Sequence, residues 1–275
     1  MKNRLSNLKN LLWAASILLC LLALLVGLVF AMSQKNRAEK VDGTLVLGEI
    51  VRPGKTAGEQ FVGTGGQVGS LVPLPDAPKG NLESVFAMTF LCDKTLQGLS
   101  TYATQYGGGL AAQIWTDDGR GLRAKDGADM LIVFSDGSQI TPGDAAMVTQ
   151  PKTLVIYLGG DGLAETTQQE FLDGYSSLID SIRSNSPDTT IIACSIASVS
   201  SNYQGSDGLN PTLIYRANAW IKQVCVSKGV YYADLASFLN DESGYLSDTF
   251  LTPDGRSIAA LGIDMVVEFF RFHGV

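Results

Sequence analysis

Histidine is almost absent from this chain of 275 residues: there is one, His273, close to the last residue. Any chemistry that needs an imidazole base has only that position to draw on. Cysteine is scarce as well. Cys20, Cys92, Cys194 and Cys225 are widely spaced and lack the paired spacing of a structural zinc site, so no metal centre is expected. Cys92 and Cys194 end or lie within apolar runs, where cysteine behaves as a small buried hydrophobe, and free thiols are expected rather than a disulfide. Basic residues are outnumbered, 20 Lys and Arg against 27 Asp and Glu, for a net charge of -7, and beyond the amino-terminal region they form no run. A nucleic-acid surface needs a basic stripe, so no nucleic-acid partner is expected.

What the chain does have is one long uncharged apolar segment, "LLWAASILLCLLALLVGLVFAM", residues 11–32. About 20 such residues in a helix span a hydrocarbon core. A secretory signal peptide is the rival reading, because Val29 and Ala31 resemble residues before a cleavage site. Its apolar region would be only about 7–15 residues long, which favours an uncleaved anchor. "ILL" before Cys20 disfavours a lipidated cysteine. Lys2, Arg4 and Lys9 on one flank balance Lys35, Arg37 and Lys40 on the other, so the positive-inside count is tied. The short tail, residues 1–10, is the simplest piece to retain in the cytoplasm. That places a single-pass protein in the cell membrane with its carboxyl-terminal domain outside.

Residues 33–80 are dense in Gly and Pro ("GTGGQVGS", "LVPLPDAPKG") and read as a stem, with strand character only in "GTLVLGEIV", 43–51. From residue 81 to 275 short apolar runs alternate with longer amphipathic ones. Strands are expected over 85–92, 130–135, 153–160, 189–198 and 229–235. Helices are expected near 95–106, 165–183, 210–228 and 256–271, the third opened by Asn210 and Pro211. Near-continuous apolar strands separated by helices imply a mostly parallel sheet covered on both faces. Ligands bind outside the carboxyl ends of such strands, so function is sought in the loops at 92–95, 159–164, 199–209 and 247–257.

Three of those loops carry a resemblance. "FLCDKTLQGL" (90–99) resembles the first block of the SGNH/GDSL hydrolases, in which a strand ends in Gly-Asp-Ser and the Ser is the nucleophile. "VIYLGGDGL" (155–163) resembles the later Gly-x-Asn-Asp block, whose Asn helps form the oxyanion hole. "YLSDTFLTPDGRSIAALG" (245–262) resembles the last block, where Asp-Gly-x-His supplies acid and base. The blocks stand in family order over about residues 82–272. The resemblance implies a three-layer αβα domain with a flavodoxin-like sheet, preceded here by the transmembrane helix and stem.

The departures fall on the residues that the resemblance makes catalytic. Asp93, Gly159, Asp254 and Gly255 match. Lys94 stands at the nucleophile, Asp161 at the oxyanion Asn and Ser257 at the base, while Gly119 in "TDDGRGL" aligns loosely with a separate oxyanion glycine. A triad hydrolase needs a hydroxyl, a nitrogen base, an orienting carboxylate and oxyanion donors. His273 cannot serve, because the last helix carries it roughly 20 Å from Ser257. Losing nucleophile or base in a comparable triad costs roughly 10⁶ in turnover. A one-residue shift would put Asp93 or Thr95 at the elbow, still without histidine. Lys94 as an amine nucleophile is disfavoured by Asp93 beside it, and Cys92 as a reactive thiol by its place in an apolar strand. Asp161 and Asp254 as an acid/base pair, or with Asp93 as a cation site, compete with ordinary capping roles for these residues. Trp115, Tyr203, Tyr245 and Phe250 are candidates to offer ring faces to a sugar, against the commoner role of packing.

The expectation is therefore a membrane-anchored, catalytically degenerate hydrolase-like domain without a cofactor, binding a glycan or cell-envelope polymer at the cell surface. Assistance to a membrane acyltransferase is a further idea with no support from these residues. The alternative is an active acylhydrolase with a rearranged site built on Asp254, Asp161 and Lys94 or Ser257, and a structural spacer is a third reading.

Overall fold

The computed structural model describes residues 60–62, 68–106, 114–117, 119–134 and 136–275, all within one compact unit, Thr56–Val275. The apolar segment 11–32, the strand-like piece 43–51 and Cys20 lie outside the described residues. Among the described residues no helix is long and apolar enough to cross a membrane.

The described chain opens with an antiparallel pair, β1 (Gln60–Val62) and β2 (Val68–Ser70), then β3 (Val72–Pro73). Helix α1 (Leu82–Phe86) follows, capped by Asn81, whose side chain accepts the Ser84 N–H at 2.9 Å. That cap draws Val85 and Phe86 of the apolar run 85–92 into helix, residues 87 and 88 form a turn, and only β4 (Thr89–Cys92) is left as strand. Next come a 3-10 turn at Lys94–Leu96, α2 (Gly98–Tyr106) and β5 (Ile114–Trp115). The expected strand at 130–135 shrinks to β6 (Ile132–Val133), which pairs antiparallel with β7 (Gln139–Ile140) outside the main sheet.

Helix α3 (Pro142–Thr149) precedes β8 (Thr153–Tyr157), α4 (Gln168–Asn185) and β9 (Thr190–Cys194). Thr167 and Glu170 form a reciprocal capping box at the start of α4. Helix α5 (Pro211–Lys228) begins on an Asn210 cap with Pro at its first position and stops at left-handed Gly229. The chain finishes with β10 (Tyr231–Ala233), α6 (Leu235–Leu239) and α7 (Ala260–Phe272).

The main sheet has the order β3-β10-β9-β8-β4-β5, with every pairing parallel. Helices α3, α4 and α5 pack on one another, and α7 packs with α1, α2 and α6, giving three layers. The order from β5 inward is the flavodoxin-like one, with β3 added at the far edge. The sheet thus reaches back into residues read as stem. Strands β4, β5, β8, β9 and β10 are buried almost throughout, as expected of a parallel sheet covered on both faces, while the added edge strand β3 is exposed. The chain runs from β4 to β5 on one side and from β4 to β8, β9 and β10 on the other. The direction therefore reverses between β4 and β8, and the carboxyl ends at Cys92 and Tyr157 flank the crevice where such folds bind ligands.

Candidate functional site

Asp93 is the first residue past β4 and is wholly buried. Its backbone N–H still donates to Tyr157 O at 3.0 Å, so it is fixed to the sheet. One carboxylate oxygen accepts from the backbone N–H and hydroxyl of Thr95, at 3.0 and 2.5 Å, and starts the 3-10 turn; the other accepts from Gly160 N–H at 3.2 Å. This turn drives the next side chain outward. Lys94 is half exposed, with Nζ 3.6 Å from Asp161 Oδ1. Thr95 is buried and its hydroxyl is spent on Asp93.

Beyond β8 the backbone needs two glycines. Gly159 has φ +136°, and a Cβ there would meet the Phe171 ring at 3.2 Å. A Cβ on Gly160 would stand 3.2 Å from Asp93 Oδ2 and 3.5 Å from Arg256 Nη2, so glycine lets this backbone close on both groups. The turn then delivers Asp161, almost fully buried. Its Oδ1 accepts from Arg256 Nη2 at 2.5 Å and its Oδ2 from Leu122 N–H at 3.2 Å.

The third contributor is the turn before α7. Asp254 accepts from the hydroxyls of Thr252 and Ser257, both at 2.6 Å, and from the N–H groups of Arg256 and Ser257, both at 2.8 Å. Ile258 N–H donates to Thr95 O at 3.0 Å, tying this turn to the elbow after β4. The same turn aims Arg256 inward. Its Nη1 donates to Asp207 Oδ2 at 2.6 Å, so one buried guanidinium bridges Asp161 and the loop at 199–209. Tyr203 OH donates to that same Asp207 oxygen at 2.9 Å.

The electrostatics follow the geometry. Burial, and then the neighbouring Asp161 carboxylate, push the Asp93 carboxyl up to about 6, while Thr95 and Arg256 pull the other way. For Asp254 burial opposes ionisation, but the hydrogen bonds from Ser257, Thr252 and the backbone outweigh it and hold the carboxyl well below the usual range. Burial works against the Arg256 cation as well, and Asp161, Asp93 and Asp207 overcome it. Burial, then Asp93, push the Cys92 thiol far up, so it is no thiolate. Cys92, Cys194 and Cys225 are buried free thiols.

Asp93, Lys94, Gly159 and Asp161 are thus brought together at one edge of the sheet, with Asp254 and Ser257 on the adjoining turn. The rest of the sequence reading is redistributed. The Gly119 N–H donates to Asp117 Oδ2 at 3.0 Å, and the Gly121 N–H donates to the same oxygen; the backbone donor of this loop that reaches the cluster is Leu122. Trp115 is 1% exposed and is core, offering no ring face. Tyr245 and Phe250 are half-buried, Phe250 against the core, and only Tyr203 among the four aromatics bonds to the charged network. His273 caps the far end of α7, stacked on Phe269 with Nε2 3.3 Å from Asp76. Among the described residues no group of three or more His, Cys, Asp or Glu is disposed to hold a metal ion.

Arg256 and Asp207 were missed by sequence reasoning. Arg256 stands inside "PDGRS", in a block whose resemblance points to Asp254, Gly255 and Ser257, and Asp207 stands inside "QGSDGL", where no block falls. The usable signal is an arginine beside a helix start in a chain with spare carboxylates, made specific by loop 199–209 folding onto that turn.

Residues 93–261, more than half of the chain, match the model of the GDSL-like lipase/acylhydrolase family. Among solved structures the chain is similar to a GDSL-like lipase from Bacteroides thetaiotaomicron, at 12% identity and a TM-score of 0.48, over 71% of this chain and 90% of that one. It is also similar to a family 3 carbohydrate esterase from Clostridium thermocellum, at 17% identity and a TM-score of 0.42, over 66% of this chain and 92% of that one. No curated protein matches.

Proposed function

Because the chain belongs to the GDSL-like lipase/acylhydrolase family, we propose that it is a member that binds an acylated or related envelope glycan without hydrolysing it. The observation that carries this reading is the guanidinium of Arg256, held between Asp161 and Asp207 beside the β4 elbow. Acyl hydrolysis requires a nucleophile with a free electron pair, a base to take its proton, and donors for the oxyanion. At the elbow stands the ammonium of Lys94, paired with Asp161. At the position of the base, the Ser257 hydroxyl donates to Asp254. The Leu122 N–H that faces this edge is accepted by Asp161. Each of these three groups is engaged by a neighbour within the protein, and an ionised carboxylate at 161 would repel an oxyanion. An active site built on Asp254, Asp161, Lys94 or Ser257 gains no support from these contacts.

In this reading the apolar segment 11–32 anchors the chain and holds the domain at the cell surface, where envelope polymers are within reach. The test uses full-length protein in detergent with an aryl acetate and an O-acetylated glycan, run beside Lys94→Ala and Asp254→Ala. All three are expected to show no turnover above background, while wild type is retained on immobilised envelope polysaccharide. Turnover abolished by either substitution would make this a hydrolase with unusual site chemistry and overturn the proposal.

A further inference from the structure

Arg256 is 7% exposed, yet its bonding is incomplete. A guanidinium has five N–H donors and no acceptor. Here Nη2 serves Asp161 and Nη1 serves Asp207, while among the described residues the buried Nε has no hydrogen-bond partner. The two carboxylates are held unequally. The Asp161 side chain is 4% exposed and the Asp207 side chain 29%. Asp161 follows directly on β8, whereas Asp207 sits on irregular chain between β9 and α5. Apart from Arg256, Asp207 is held by its own loop, through Tyr203 OH and, at 3.1 Å, Leu209 N–H. A second cation stands at the same edge, Lys94, half exposed and only loosely paired at 3.6 Å.

We infer that Asp207 is an internal stand-in for the acidic group of a ligand, and that a carboxylate or phosphate diester on a glycan displaces it to bind Arg256 and Lys94. This rests on the binding reading above and narrows its ligand to acidic polymers. The charge count supports it. Asp93, Asp161 and Asp207 face Lys94 and Arg256, so an incoming anion that replaces Asp207 leaves the balance as it was. A neutral sugar that moved Asp207 aside would strip Arg256 of half its ion pairing in a buried setting, a costly state. A cation would meet Lys94 and Arg256 first. The planar fork of arginine suits two-oxygen acids, and the unmet Nε–H can be satisfied only by an acceptor. Tyr203, released from Asp207, would have its hydroxyl free for the ligand.

The test is calorimetric titration of full-length protein in detergent with three probes: oligogalacturonate, its fully methyl-esterified neutral counterpart, and a short poly(glycerol phosphate). At least one anionic probe is expected to bind about 10-fold or more tighter than the neutral one, and which of the two does so separates carboxylate from phosphate. Asp207→Asn, at a partly exposed loop position, should tighten that binding by about 10-fold by removing the competing occupant. Lys94→Gln, at an exposed position, should weaken it. Equal affinity for charged and neutral probes, or anion affinity unchanged in Asp207→Asn, would overturn the inference. So would no binding of any probe by both wild type and Asp207→Asn. Retention on whole envelope polysaccharide reports on the binding reading separately, so loss of one is distinguishable from loss of the other.

Discussion

The two ends of α7 differ in kind. At its start, the turn 252–258 carries Arg256 into a buried cluster that joins the β4 elbow, the turn after β8 and the loop after β9. At its end, His273 rests on Phe269 at a ring separation of 4.1 Å, with Nδ1 2.7 Å from Phe269 O and Asp76 alongside. The histidine that the family motif would place at the first end is found only at the second. Between them run the 13 residues of α7, roughly 20 Å of helix. Ion pairs buried at one end, and partly exposed ones at the other, mean that equivalent substitutions should have very unequal effects.

The largest effect is expected at Arg256. Arg256→Ala leaves Asp161 and Asp93 buried with only the loosely paired Lys94 as cation and should cost about 3–5 kcal/mol in denaturant unfolding. A loss below about 1 kcal/mol would show that these carboxylates are solvated and would erase the contrast between the ends. Next is a pH effect at the same end. The Asp93 carboxyl rises from 3.8 to about 6 on folding, so the folded chain holds this proton more tightly than the unfolded one. Its contribution to stability is full below about pH 4 and is lost as pH rises through about 6, a change on the order of 3 kcal/mol. Asp254 has the opposite sign, contributing above the ordinary carboxylate range and losing that contribution in acid. The difference between wild type and Asp93→Asn, which keeps a capping oxygen, should therefore shrink as pH falls through about 6 toward 4; a difference independent of pH would contradict the assignment.

Smaller still, Asp254→Ala removes the acceptor of four local hydrogen bonds and should cost about 1–2 kcal/mol, in the range of a lost cap. Retained stability would mean that the turn is held by its backbone bonds alone. At the far end, His273→Ala should cost no more than about 1 kcal/mol, as for a partly exposed pair and a ring contact. It should leave glycan retention unchanged. A change in retention would connect the two ends through α7 and defeat the comparison.

The sequence made the central strands readable because Thr153–Tyr157 and Thr190–Cys194 are apolar on both faces, and α4 and α5 carry explicit caps. It hid α1, because a strand-like run followed Asn81 and only the cap decides between helix and strand there. It hid β3 and β5, two residues each, whose place in the sheet is set by long-range pairing and not by any local pattern. In the site, Asp93, Lys94, Gly159 and Asp161 were legible because each is fixed within a few residues of a strand end. Asp207 was not, since its partner lies 49 residues away across an irregular loop. The role of Leu122 was equally hidden, because a backbone N–H carries no sequence signature.

The bond between Ile258 N–H and Thr95 O and the ion pairs of Arg256 have a further consequence for synthesis. A ribosome makes Asp93, Asp161 and Asp207 before the cation that joins them. A nascent chain halted short of residue 256 holds three carboxylates destined for one edge and lacks the arginine that binds two of them. Emergence of the turn before α7 therefore supplies the arginine counter-charge, just ahead of the helix that packs against α1, α2 and α6.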